Sequence, residues 1–377
     1  MVENESLRVK ARGMESSPLL NLGGSLPVPS VQEMVKGRIT QVPPRYVRPT
    51  QDPTFISNID VELQLPIIDM ERLSCPNFKG SEELEKLDRA CKNWGFFQLI
   101  NHGVNSSLVT KVKHGIEEFF NLPIEEKNKY KQLPGDVEGF GQAFILSEEQ
   151  KLDWADMFYI FTLPTHIRKP HLLPKLPLQL REGIEAYAVE LEKLALKMLQ
   201  YMAKALKIDA NEIRAVFEGG LQGMRMNYYP PCPQPDLVIG ISPHSDIQGI
   251  TILLELNEVE GLQIKNDGRW FPVKPMPNAF IVNLGDSMEI VTNGIYKSIE
   301  HRATVNSTKE RLSIATFYSS NLETVVRPAP SLITPQNPAM YKNIKYGDFI
   351  KLFISRELKG KSCIQQIKIQ HEERKID

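Results

Sequence analysis

The apolar positions of this chain change period once, near Gly223. Before that point they recur at three- and four-residue steps, as on helices that bury one side. The spacing predicts a helix opened at Ser81, with Leu84, Leu87, Cys91 and Trp94 on one face and Gly95 as its stop. A second covers 106–121, striped by Leu108, Val112, Ile116, Phe119 and Phe120. A long one runs over about 177–206, with Leu180, Ile184, Tyr187, Leu191, Leu194, Met198 and Met202 in step. A short helix follows Asp209, where Asp209 and Glu212 have capping-box spacing, and Gly219-Gly220 ends it. LPIID (65–69) and FFQLI (96–100) read as short buried strands.

After Gly223 the period is two. Strands are predicted over 224–230, 239–244, 250–256, 262–265, 271–274, 279–284, 298–305 and 311–318, divided by Pro, Gly, Asn and Asp clusters. Helices first and many short strands second predict an α+β fold: a jelly-roll or cupin-like double sheet with a helical N-terminal region and one long supporting helix. Residues 1–60 read as a partly disordered leader with a docking segment around Val31–Val35 and a turn at Pro43-Pro44-Arg45-Tyr46. Residues 61–220 form the helical and mixed region, 221–330 the β core, and 331–377 a C-terminal helical segment and tail. No flexible linker separates them, so one unit is expected.

Composition removes several function classes. The 377 residues are 41% apolar and 24% charged, with 45 basic against 46 acidic side chains and a net charge of −1. That balance gives no electrostatic case for nucleic acid or an anionic membrane surface. The 177–206 stretch carries Arg181, Glu185, Glu190, Glu192, Lys193 and Lys197, too many charges for a membrane span. The N-terminal MVENESLRVKARG has no apolar core of a secretory signal. Cys75, Cys91, Cys232 and Cys363 have neither zinc-knuckle nor redox-pair spacing, which points to a reducing compartment. Without secretion, the triplets Asn105-Ser106-Ser107 and Asn306-Ser307-Thr308 are idle as glycosylation sites. Neither a P-loop nor a G-x-G-x-x-G turn is present.

The chemistry lies in the strand half. His244 and Asp246 are two apart, so on a strand both reach one point. With His301 they make two imidazoles and one carboxylate, the facial triad of non-haem iron(II) sites, which leaves open positions for a 2-oxo acid and O2. H-x-D alone recurs by chance in many chains. The second signal is Arg311-Leu312-Ser313, ten residues beyond His301. A guanidinium fork matches a carboxylate, and the hydroxyl adds a bond. An inward Arg needs an anion, either a ligand's carboxylate or an internal Glu or Asp. Arg225, Asn227 and Tyr229 share strand parity, so Tyr229 can reach the same carboxylate and Asn227 the co-substrate near the metal. Phe317 has the parity of Arg311 and Ser313.

The order NYYPPCP, H-S-D, NLGD, H, R-L-S is similar to the plant 2-oxoglutarate-dependent dioxygenases, with His301 55 residues after Asp246. PIID (66–69), WGFFQLINHGV (94–104) and LPIEEKNKY (122–130) resemble that family's N-terminal half. GGSLPV (23–28), PRYVRP (44–49), EGFGQAF (138–144), SEEQKLDWADM (147–157) and NGIYKSIEHRA (293–303) resemble its senescence-related, norcoclaurine-synthase-like and morphinan O-demethylase branch.

The resemblance implies a double-stranded β-helix core and a cytoplasmic, monomeric enzyme. Its cofactors would be Fe(II) on His244, Asp246 and His301, and 2-oxoglutarate on Tyr229, Arg311 and Ser313, with O2 as oxidant and ascorbate as reductant. The reaction would hydroxylate or O-demethylate a small aromatic or alkaloid-like molecule, releasing succinate and CO2. Phe140, Phe144 and Phe317 would wall the substrate pocket, with Gln142 and Arg225 as polar contributors. A salt bridge is the alternative for Arg225. Relatives commonly have a small residue and then Thr or Gly where this chain has Ile247-Gln248-Gly249, beside the metal's open face. An ascorbate-driven oxidase and a carbon–carbon condensing lyase are the alternative activities on the same scaffold.

Overall fold

The computed structural model describes residues 24–48 and 64–370. Most of the expected leader therefore lies outside the described residues. Within it, the docking segment forms a helix over Val31–Lys36, N-capped by Ser30, and Tyr46 closes a turn on the Pro43 carbonyl at 2.9 Å.

Twelve strands build the two main sheets among the described residues. They are β1 (Ile67–Asp69), β2 (Phe96–Ile100), β3 (Gly139–Gly141), β4 (Asp156–Leu163), β5 (Gln222–Tyr229) and β6 (Ile241–His244), then β7 (Ile250–Glu255), β8 (Leu262–Asn266), β9 (Arg269–Pro272), β10 (Phe280–Leu284), β11 (His301–Ala303) and β12 (Arg311–Tyr318). The major sheet has the order β1-β2-β10-β7-β12-β5-β4-β3, the minor sheet β6-β11-β8-β9. The N-terminal half thus contributes four strands to the edges of the major sheet. Pattern reading finds β1 and β2 but misses β3 and β4. Strand β4, DMFYIFTL, is apolar almost throughout because both of its faces are covered, so it shows no alternation.

The long helix, Leu178–Leu206, buries Leu180, Ile184, Tyr187, Leu191, Leu194, Met198 and Met202, the stripe that its spacing predicts. It shares one core with the major sheet, and the Gln222 side chain of β5 donates to the Ala188 carbonyl at 2.9 Å. Helix Phe78–Asn93 starts earlier than Ser81, because Asn77 caps it by accepting from the Lys79 N–H. At Ala210–Phe217 only half of the capping box forms. Asp209 accepts from Asn211 N–H, but Glu212 is spent on Ser331. Asn105 and Asn306, the two triplet asparagines, cap a helix and a turn. All four cysteines are free. No helix among the described residues is long and apolar enough to cross a membrane.

Leu191 is fully buried between helix and sheet. Leu191→Ala is expected to cost about 2–5 kcal/mol of stability by denaturant titration, with metal affinity of the folded protein unchanged.

Candidate active site

The two sheets face each other, and the two candidate histidine ligands come from the minor one. His244 ends β6 and His301 begins β11. The two strands pair antiparallel with His301 opposite His244, so the rings lie 4.3 Å apart. Each ring is aimed by its own backbone. His244 Nδ1 donates to the Ser242 carbonyl at 2.8 Å and His301 Nδ1 to the Ile299 carbonyl at 3.1 Å. Both Nε2 atoms are left for the centre, a pattern that orients metal-binding imidazoles. They sit 3.6 and 3.7 Å from Asp246 Oδ1.

The Asp246 carboxylate is held by the major sheet. Thr251 Oγ1 (β7) donates to Oδ2 at 2.6 Å and Asn283 Nδ2 (β10) at 2.8 Å. Oδ1 alone remains for the centre. The loop carrying Asp246 is clamped from behind, where the Asp286 N–H donates to the Asp246 carbonyl at 2.7 Å and Ser287 Oγ to the Ile247 carbonyl at 2.6 Å. The clamp requires Gly285, where a Cβ would lie 2.0 Å from the Gln248 carbonyl oxygen.

The ligating atoms of His244, Asp246 and His301 lie within 4.8 Å of one another, and all three residues are buried. Burial, then the neighbouring His244, pushes the His301 imidazolium down to about 4, so its Nε2 lone pair is free at neutral pH. Burial alone would raise the Asp246 carboxyl. His301, His244 and the Thr251 hydroxyl outweigh it and hold the group below the usual carboxylate range. Two imidazole nitrogens and one carboxylate oxygen on one side of a point fit a divalent, six-coordinate metal that keeps its other positions open.

Those positions open onto an inner chamber of about 510 Å³. Arg311, Ser313, Tyr229 and Asn227 line it, as parity predicts. The register explains the grouping, since Arg311 pairs with Tyr229 and Ser313 with Asn227 across β12 and β5. Asn227 Nδ2 donates to Ser313 Oγ at 3.3 Å, and the Arg311 guanidinium lies 5.0 Å from the centre of the Tyr229 ring. Burial raises the Tyr229 phenol, which keeps it a donor. Arg311 Nε and Asn227 Oδ1 are buried without a partner among the described residues. Unspent polar groups around the chamber fit a carboxylate-bearing organic ligand. Arg311 also has an internal partner, Glu255.

An outer cleft of about 920 Å³ meets the chamber at Arg225, His244, Asp246 and Phe317, which line both. Phe144, Tyr159, Met157, Tyr346, Ile350 and Phe353 give it apolar and aromatic walls. Phe144 meets Phe353 edge to face at 5.3 Å. Ile247 and Gln248 also border the cleft, and Gln248 Oε1 is buried without a partner among the described residues. The expected salt-bridge alternative for Arg225 is not found among the described residues, and its Nε has no partner there.

Two expected pocket residues stand elsewhere. Phe140 pairs in β3 with Phe158 and points with it into the core, against Phe119 and under the Lys127 ammonium. Gln142 has the same parity and lies beside the Tyr46 hydroxyl, away from the cleft. The residues on the cleft face of β4 are the odd-numbered Met157, Tyr159 and Phe161. Pattern reading misses these because it misses the strand. It also misses Ile350 and Phe353 of the helix Tyr346–Ile354, whose apolar stripe is wider than one buried face needs.

Residues 221–320 match the 2OG-Fe(II) oxygenase superfamily, and residues 65–176 match the non-haem dioxygenase in morphine synthesis N-terminal family. The chain is 54% identical over 364 residues to thebaine 6-O-demethylase of Papaver somniferum, covering 94% of this chain and 100% of that one. The chain belongs to the 2OG-Fe(II) oxygenase superfamily. This oxygenase is also 51% identical over 370 residues to oxoglutarate-dependent flavonoid 7-O-demethylase 1 of Ocimum basilicum, covering 98% of each. Among solved structures, JOX2 in complex with 2OG, Fe and JA superposes on the oxygenase with a TM-score of 0.83, 35% identity, and coverage of 92% of this chain and 99% of that one. The jelly-roll core and the Fe(II)- and 2-oxoglutarate-dependent dioxygenase class are thereby established.

Asn283 and Thr251 touch the carboxylate but not the centre. Removing either is expected to let Asp246 rotate. Asn283→Ala should weaken Fe(II) affinity about 10- to 100-fold, measured by anaerobic equilibrium binding, with the fold retained.

Proposed function

We propose that His244, Asp246 and His301 hold Fe(II) through Nε2, Oδ1 and Nε2. In this reading Arg311, Ser313 and Tyr229 take the distal carboxylate of 2-oxoglutarate, and Asn227 contacts its inner part. The observation that carries it is the sorting of donors: each ligand residue has one atom tied back by the fold and one left free. When bound, the pair supplies the oxidation, in which O2 and 2-oxoglutarate are consumed, succinate and CO2 leave, and one oxygen enters a substrate C–H bond. The chain's own contribution is position and dryness. Arg311 and Ser313 fix one end of the co-substrate. Leu253, Leu262, Phe96 and Phe317 give the rest of the chamber apolar walls.

The substrate proposed is a small, flat, methoxylated aromatic or alkaloid-like molecule. The apolar cleft over the metal's open side supports it, with Phe144, Tyr159, Phe317 and Phe353 as ring-packing walls and Arg225 as the polar contact. Two relatives named as O-demethylases, one of an alkaloid and one of flavonoids, support the reaction type. Oxygen inserted into an O-methyl C–H gives a hemiacetal, which loses formaldehyde and leaves the phenol or enol. A monomeric, cytoplasmic enzyme kept reduced by ascorbate completes the reading.

A panel of O-methylated flavonoids and alkaloids tests it by succinate and formaldehyde release. The expected result is succinate and formaldehyde in equal amounts with at least one methyl ether. Condensation of an amine with an aldehyde without succinate, or oxidation that ignores 2-oxoglutarate, would overturn it. His301→Ala should abolish turnover. Arg311→Ala should raise KM for 2-oxoglutarate at least about thirtyfold, the weight of about 2 kcal/mol for a buried charge pair, and spare Fe(II) binding.

A further inference from the structure

Arg311 has a carboxylate on each side once the co-substrate is in place. Behind it stands Glu255, the last residue of β7, paired in register with Ser313. Arg311 Nη2 donates to Glu255 Oε1, and the two side chains are 3% and 10% exposed. Arg311 borders the inner chamber, whereas Glu255 borders a separate groove of about 1160 Å³. Lys113 and Glu258 share that groove, and Lys113 is half-buried near Glu255. A third wall fixes the guanidinium stem. A Cβ on Gly261 would lie 2.7 Å from Arg311 Cδ and 3.2 Å from its Nε. The arginine stem thus packs closely on the Gly261 backbone, and its unspent Nε is buried.

This geometry separates two effects of one side chain. As a hydrogen-bond acceptor, Glu255 holds the guanidinium in place. As an anion, it opposes any second carboxylate brought to the same guanidinium, in surroundings where charges are poorly screened. Burial raises the Glu255 carboxyl, and Arg311 and then Lys113 draw it back toward the ionised form.

We propose that Glu255 is a positioning residue for Arg311 whose negative charge deliberately loosens the grip on the distal carboxylate, of 2-oxoglutarate on entry and of succinate on exit. The proposal rests on the reading of Arg311 as the holder of that carboxylate. Lys113 moderates the effect from the groove side. Both dicarboxylates share the group concerned, so their affinities move together. A 2-oxo acid without a distal carboxylate, such as pyruvate, does not feel it.

The test titrates 2-oxoglutarate, succinate and pyruvate anaerobically into the Fe(II)-loaded full chain, with succinate read by competition. Glu255→Gln keeps the acceptor and removes the charge, and should tighten 2-oxoglutarate and succinate about tenfold each while leaving pyruvate unchanged. Glu255→Ala loses the brace as well and should bind 2-oxoglutarate more weakly than Glu255→Gln. Lys113→Met should weaken both dicarboxylates about threefold, again sparing pyruvate. Equal or weaker 2-oxoglutarate binding in Glu255→Gln, at an unchanged thermal midpoint, would overturn the proposal, as would an equal shift in pyruvate. Arg311→Ala keeps the two readings apart. If that variant binds 2-oxoglutarate as tightly as the parent chain, the assignment of Arg311 itself fails. If it loses 2-oxoglutarate while Glu255→Gln changes nothing, only the role of Glu255 fails.

Discussion

Asp246 has two carboxylate oxygens, and the fold commits only one of them. Thr251 and Asn283, from neighbouring strands of the major sheet, bind Oδ2. That leaves Oδ1 facing two imidazole nitrogens whose rings are fixed from the minor sheet. The centre is thus a seam where the sheets must meet in one register. A slip of one residue in β6 or β11 would turn a histidine to the opposite face. The clamp from Asp286 and Ser287 onto the 246–247 carbonyls, and the space kept by Gly285, serve the same seam.

The rest of the molecule keeps that seam closed and dry on one side and accessible on the other. The long helix and the major sheet bury a continuous core behind β7, β12 and β5, so the chamber wall is rigid. The chamber holds the polar groups that suit a small anion. The cleft above it is mostly apolar, and Ile350 and Phe353 of the helix Tyr346–Ile354 line it. Division of polar and apolar surface between two connected spaces lets a charged co-substrate and an apolar substrate approach one centre without exchanging places.

Much of this is legible in the sequence because strand parity is a strict rule. Arg311 with Ser313 and Phe317, and Arg225 with Asn227 and Tyr229, converge as the period of two requires, whereas Asp246 lies in the loop beyond β6 and is brought to His244 by the clamp. What escapes the sequence has physical reasons. Strand β4 is covered on both faces, so it lacks alternation, and its cleft residues Met157, Tyr159 and Phe161 go with it. Phe140 and Gln142 fall to the wrong side because a strand of three residues, Gly139–Gly141, gives no pattern from which to fix the inward parity. Thr251 stands five residues from Asp246 and Asn283 opens the NLGD motif, but neither residue type announces its bond to the Asp246 carboxylate, and Glu255 matters through Arg311, 56 residues on. The Arg311–Glu255 pair gives the inward arginine an internal anion, one of the two partners expected for it.

The most direct test of the central claim is anaerobic titration of Fe(II) and then 2-oxoglutarate into the purified protein, followed by visible absorption. The account predicts one Fe(II) per chain and a weak charge-transfer band that grows with 2-oxoglutarate to a one-to-one endpoint and is absent in His301→Ala. Fe(II) binding without the band would contradict the chamber assignment, and no Fe(II) binding at all would contradict the assembly of His244, Asp246 and His301 into a metal centre.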